Sequence, residues 1–288
     1  MNQKTLNKAF SLIELSIVIL IIGILVAGVT KGGDLYSQIK LTAARSVTNS
    51  SSINTIPDLR IWLETTKEES LTTNDGNQPN QGSFISSWND IKLSRPNDKI
   101  NVTQATSSNQ PIYVKNGIGG LPSLQFDGIN DVLENLVDMP INAGDDSYTM
   151  VAVVNIFDPS GGDIAIGQGT NSHAANRSGM MYFNGTNQFG FAGFANDYVS
   201  ISYANNTEYI AIVIANHQLA NNITLYLNSN SETIGTTNAD NSALNIAGER
   251  FVIGSASYNA HYHDGLISEV MIFDRNLKDS EVAQLMTT

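Results

Sequence analysis

Cysteine is absent from the 288 residues. That excludes disulfides and thiolate nucleophiles, so an exported domain built from this chain is held by its own core or by metal. Basic residues are scarce, 15 Lys and Arg against 27 Asp and Glu, for a formal charge of −12. An acidic chain with few basic clusters has no electrostatic footprint for nucleic acid. Long apolar runs are missing as well, with one exception at the N-terminus.

That exception is the stretch 10–29, FSLIELSIVILIIGILVAGV, whose one charge is Glu14. Twenty helical residues cover roughly 30 Å, enough to cross the hydrocarbon core of a bilayer. Lys4 and Lys8 precede the run. They keep the N-terminus cytoplasmic and send everything beyond the span to the other side. No small-residue cleavage site of the secretory type closes the run before Lys31. A charge within a spanning helix costs about 2.5–3.5 kcal/mol at the bilayer centre, so Glu14 calls for a partner.

Phe10, Ser11, Leu12, Ile13, Glu14 and Leu15 after a short basic leader resemble the N-terminus of type IV prepilins and pseudopilins. The resemblance implies a leader at 1–9, cleavage between Ala9 and Phe10 by a prepilin peptidase, and N-methylation of Phe10. Ala9 departs from the usual Gly. It further implies that Glu14 meets the free amine of a neighbouring pilin subunit during filament assembly. The protein is then expected in the inner membrane with an exported C-terminal domain, and later in an extracellular pilus or a periplasmic pseudopilus.

Beyond the span, Leu35, Ile39 and Ala43 recur at helical spacing, which predicts a helix over 10–47. Gly32 and Gly33 lower helix propensity by about 1 kcal/mol each and mark a hinge. The serine-rich stretch 48–56 reads as a linker. From there to residue 288 the pattern is mainly β: 147–157, 179–184, 187–194, 207–217, 222–228, 251–255 and 264–273 are short apolar segments between Asn-, Gly-, Asp- and Ser-rich turns. Such spacing predicts antiparallel strands packed in two layers. Only the last residues, DSEVAQLMT, look helical.

Gly120, Pro122, Phe126, Asp127, Gly128 and Asp131 resemble the G-x-P-x-x-x-F-D-G-x-x-D signature of LamG-like, concanavalin A-like domains. Gly265, Ile267, Glu269, Asp274, Arg275 and Leu277 are similar to the closing strand of that family, and Trp62-Leu63-Glu64 and Trp88-Asn89-Asp90 to its opening elements. The resemblance covers 57–288 and implies a two-sheet antiparallel jelly-roll sandwich. Arg275 and Asp274 are expected to tie the last strand to the terminal helix, and Glu269 to face solvent or pair with Arg275.

Asp127, Asn130 and Asp131 offer oxygens for a ligand or for calcium, which some relatives bind at a sheet rim. Three oxygens fall short of the roughly six to eight that calcium takes, and the residues themselves read equally as a turn. His261 and His263 would share one face of a strand, as zinc ligands could, with no third ligand nearby. For sugar binding, Asp197 and Tyr198, Tyr258 and Asn259 combine hydrogen-bonding groups with aromatic rings. No other cofactor is implied. Neither a G-x-S-x-G elbow nor the E-x-D-x-x-E pattern of glucanases occurs, which argues against an enzyme. The reading that results is a minor pilin displaying a lectin-like domain for adhesion to glycans or surfaces. A type II secretion pseudopilin and a membrane-anchored carbohydrate-binding protein are the alternatives.

Overall fold

The computed structural model describes residues 12–287 apart from Arg95, Asp145, Ser160, His173, 175–176, 194–196, 217–221, Ser229 and 235–244. Leu12–Ser50 is one helix. It runs through Gly32 and Gly33 without a break, so the predicted hinge is not formed. Apolar side chains from Ile13 to Val26 are exposed. A helix apolar all round needs a membrane or a bundle to cover it, and this one is long and apolar enough to span a bilayer. The cleavage site, Ala9 and Phe10, and the side chain of Glu14 lie outside the described residues.

The chain divides into two compact units, Met1–Ala44 and Arg45–Thr288. The second is an antiparallel two-sheet sandwich. Among the described residues one sheet has the strand order Asn230–Ile234, Asn222–Leu227, Glu208–Asn216, Tyr148–Ile156, Asp264–Phe273, Ser123–Asp127, Ile112–Val114, with Leu59–Glu64 also paired to Asp264–Phe273. The other runs Asp197–Ser202, Gln188–Ala192, Ser178–Phe183, Asp163–Gly169, Arg250–Ile253, Leu133–Asn135, Val102–Thr103, Ile85–Trp88, Leu71–Thr73. Inward-facing Trp88, Phe126, Phe183, Phe191, Phe251 and Ile272 fill the space between them, each fully buried. The strand Asp163–Gly169 is absent from the sequence reading. Its two glycines and few apolar residues hide the period of two, yet it is buried throughout because both its faces are covered.

Asp264–Phe273 is the organising strand. Its first half pairs with Ser123–Asp127 and its second with Leu59–Glu64, and a bulge between Ile267 and Glu269 lies at the change of partner. The Thr65 hydroxyl reaches both Pro122 O (2.5 Å) and Ser268 O (3.1 Å) there. The opening motifs interlock beside it. Asp90 accepts from the backbone N–H of Trp62, Lys92 and Ile100, and the Trp88 indole donates to Glu64 O (3.3 Å).

The stretch read as a linker is ordered. The first helix extends to Ser50, and Ser52–Thr55 is a 3-10 helix capped by Ser51. Ile53 and Ile56 join Trp62, Met271, Val282 and Leu285 in a second apolar cluster on the outer face of the first sheet. Polar composition hides two well-placed isoleucines. The helix Asp279–Thr287 lies where expected, held by a bidentate Arg275–Glu281 pair at 2.7 and 2.9 Å. Glu269 is therefore not the partner of Arg275. Its Oε1 accepts instead from the Trp62 indole (2.6 Å).

Candidate functional site

One end of the sandwich gathers carboxylates. Asp127 closes the strand Ser123–Asp127 and is the direct cross-strand partner of Asp264. Two like charges placed opposite one another are destabilising unless something compensates them. Asp163 opens its own strand in the second sheet, and its Oδ2 accepts from the backbone N–H of Asp264 (3.0 Å). With Asp158, Gly128, Gly161, Gly162, His261 and Tyr262 these residues line a cavity of about 290 Å³. Neither Lys nor Arg is among the lining residues.

Glycine shapes the walls. Gly128 has φ 71°, and a Cβ there would lie 2.8 Å from Asp264 Cβ. Gly162 has φ 77°, and its Cβ would meet the Tyr182 hydroxyl at 2.7 Å. Burial and the charges of Asp264 and Asp158 push Asp163 up to about 7. Burial likewise raises Asp264. A half-buried set of acceptors beside an imidazole and a phenol suits ligand hydroxyls or a cationic group.

The sequence-derived candidates fare unevenly. Asp127 Oδ1 accepts from the backbone N–H of Ile129, Asn130 and Asp131, and Asp131 Oδ2 from that of Asp127. Asp127 and Asp131 thus build a turn through their own backbone, while Asn130 Oδ1 is buried without a hydrogen-bond partner. Burial and the neighbouring Asp127 push Asp131 to about 7.

His261 and His263 do not share a face. His261 is exposed, at φ 55°, with Nδ1 2.9 Å from Gly161 O. His263 is fully buried and points its Nδ1 toward Asp163 at 3.8 Å, and burial drives it down to about 4. Among the described residues no three His, Asp or Glu side chains are grouped to hold a metal. Asn259 accepts from the Arg250 guanidinium (2.7 Å), which also pairs with Glu134, a structural duty. The Tyr258 ring meets His261 edge-on at 6.3 Å. Asp197 and Tyr198 begin a strand, and their side chains lie outside the described residues.

Asp158, Asp163 and Asp264 escape the sequence reading. The available signal is a repeated dipeptide: Asp127-Gly128 and Asp264-Gly265 stand in the two family motifs, and the fold makes their aspartates neighbours.

A second cavity, of about 170 Å³, opens on the outer face of the first sheet between Val47, Ser51, Ile53, Met271 and Leu285, with Glu269 at its edge. Glu269 stands directly across from Glu64. Burial and the Glu64 charge push Glu269 to about 7, and burial raises Glu64 too.

Glu269, Asp163 and Asp131 therefore hold protons in the folded state that the unfolded chain has released. Their contribution is complete below about pH 4 and is lost as pH rises through about 7. His263 works the other way between about pH 4 and 6.5, and Glu281, held at about 2 by Arg275, costs stability only below about pH 4. The thermal midpoint is expected to be highest near about pH 4–5 and to fall toward pH 8. Glu269→Gln keeps the acceptor for Trp62. It should raise the midpoint at pH 8 by roughly 3–6 °C, taking about 1–2 kcal/mol after allowance for water in the cavity. Scanning calorimetry across that pH range checks this, and a midpoint that rises steadily to pH 8 would contradict it.

Comparison with known proteins agrees with this architecture. Residues 4–30 match the prokaryotic N-terminal methylation motif, and residues 132–283, more than half of the chain, match the concanavalin A-like lectin/glucanases superfamily. No curated protein matches. Among solved structures, a mutant GH54 a-l-arabinofuranosidase soaked with 4-nitrophenyl a-l-arabinofuranoside superposes with a TM-score of 0.60 at 11% identity, over 80% of this chain and 62% of that one. Trypanosoma rangeli sialidase in complex with sialic acid gives 0.51 at 17%, over 80% of this chain and 32% of that one. The chain thus spans under two thirds of the first protein and about a third of the second, and at these identities the likeness is one of fold. The protein belongs to the concanavalin A-like lectin/glucanase superfamily and carries the prokaryotic N-terminal methylation motif ahead of that domain.

Proposed function

We propose that this chain is a minor pilin. A prepilin peptidase cuts it before Phe10, the new terminus is methylated, and the helix enters a filament that displays the lectin-like domain to glycans on a surface. One observation carries the reading: the methylation motif overlaps a helix of 39 residues whose described apolar side chains from Ile13 to Val26 are exposed. Such a surface is complementary to lipid before assembly and to neighbouring helices after it. Gly23 and Gly28, with nothing within 4 Å of where a Cβ would stand, leave room for close helix approach.

Adhesion rather than catalysis is the domain's proposed task. A glycosidase needs two carboxylates in assigned acid and base or nucleophile roles, whereas two of the carboxylates at the sandwich end, Asp127 and Asp163, each accept from backbone N–H groups. The acidic cavity offers acceptors for sugar hydroxyls, and His261 and Tyr262 offer rings for a sugar face. The net charge of −12 argues against nucleic acid as the partner.

Intact mass and N-terminal analysis of protein from sheared surface filaments test the assignment. The expected species begins at methylated Phe10. Methylated protein confined to the periplasmic side would favour a secretion pseudopilus. Protein that starts at Met1 and stays in the inner membrane would make it an anchored carbohydrate-binding protein.

A further inference from the structure

The register of the first sheet lines up a row of side chains that crosses the strands on its outer face. Phe84 bridges to Ile112, Ile112 pairs with Gln125, Gln125 with Leu266, and Leu266 with Asn155. Direct cross-strand partners project to the same side. At roughly 4.8 Å per strand the row extends about 19 Å. It alternates an aromatic ring and aliphatic groups with two amides.

The row is open at its Phe84 end, where residues 82–85 run along the edge strand Ile112–Val114. Phe84 is 50% exposed, while Ile112 and Gln125 are half-buried. With Ser108, Gln110, Asp127 and Asp131 they line a cavity of about 160 Å³. Gln110 is buried and committed to Asn74 and Gln104. Gln125, in contrast, makes no side-chain hydrogen bond among the described residues, and Asn155 Oδ1 is buried without a partner. Asp127 lines both this cavity and the acidic one. The turn after Asp127, which carries Ile129 at 71% exposure, therefore divides two cavities that share one carboxylate.

We propose that these two cavities form one extended site for a linear oligosaccharide, with Phe84 as the stacking platform of a subsite beyond the acidic pocket. The inference rests on the glycan-binding reading and specifies its ligand as a chain of several sugar units. Pyranose and furanose rings present an apolar C–H face and a polar rim. An exposed aromatic ring takes the first, and the unengaged Gln125 amide and the carboxylates take the second. A monosaccharide would use only the acidic cavity, whereas a chain crossing Asp127 would reach Gln125 and Phe84.

The test uses full-length protein in detergent on a printed array of linear arabinan, cello-, chito- and sialyl-capped oligosaccharides of one to six units. Affinity is expected to rise at least tenfold from one unit to the longest bound chain. Phe84→Ala should abolish that gain and leave the single-unit affinity in place, while Asp264→Asn should weaken every length. Both side chains are partly exposed, and a thermal midpoint no lower than the parent's identifies variants that fold normally. Affinity independent of length, or a Phe84→Ala profile matching the parent, overturns the extended site and leaves glycan binding standing. Binding to no member of the array overturns the glycan reading itself.

Discussion

Glu14→Ala protein is expected to insert into the membrane at least as well as the parent and to be depleted from filaments by about tenfold or more. The first half follows from the bilayer. Removing a carboxylate from an apolar helix relieves a cost that reaches about 2.5–3.5 kcal/mol at the bilayer centre and is smaller for Glu14, five residues into the run. The second half rests on the proposed task of the glutamate, which is to meet the methylated amine of Phe10 on a neighbouring subunit. Opposite charges attract strongly where the dielectric is low, although desolvation takes back much of the gain. The benefit is therefore axial register more than stability. A register preference of only about 1.4 kcal/mol already shifts incorporation tenfold. Immunoblots of sheared filaments and of inner membranes, compared at equal expression, give the measurement. Equal incorporation would remove the charge pair from the account and leave apolar packing of the helix as the whole of the assembly signal.

Lys92→Met should be the most damaging conservative change in the sandwich. Lys92 and Asp90 are both fully buried side chains and lie 2.6 Å apart. The ammonium also donates to Asp98 O. Removing one member of a buried pair strands the other charge and costs about 3–5 kcal/mol. Asp90 keeps three backbone N–H donors, from Trp62, Lys92 and Ile100, so the lower end is expected. About 3 kcal/mol corresponds to a midpoint lower by roughly 6–12 °C for a domain of this size. A double variant, Asp90→Asn with Lys92→Met, leaves no stranded charge and should recover part of the loss. Urea unfolding of the full-length protein measures both. A single variant within about 1 kcal/mol of the parent would show that water reaches the pair.

Glu14 and Lys92 differ in how far the sequence reveals them. Glu14 is legible directly, because one charge in an apolar run of twenty residues is conspicuous and the residues around it form a specific motif. Lys92 is not. It sits in a polar stretch, IKLSRPNDK, and nothing local says that its ammonium is buried. The Trp88-Asn89-Asp90 motif points to the place without showing that Asp90 organises the backbone of a strand some thirty residues earlier. Glu269 departs from expectation for a related reason. Its neighbour in sequence, Arg275, is claimed by Glu281, and its actual partner, Trp62, comes from the opposite end of the domain.

The amino-acid sequence by itself determined the apolar helix, the mainly β character of the chain beyond it, and the motifs at both ends of the sandwich. These depend on periodicity, run length and turn chemistry, all of which are local. The tertiary structure alone decided which carboxylates meet. Asp127, Asp163 and Asp264 come together, and Phe84, Ile112, Gln125, Leu266 and Asn155 align, only through strand register. Alternation along one strand says which side chains share a face. Which residue of a distant strand stands opposite is settled by the packing of the whole core, where a slip of one position would turn every apolar side chain toward water.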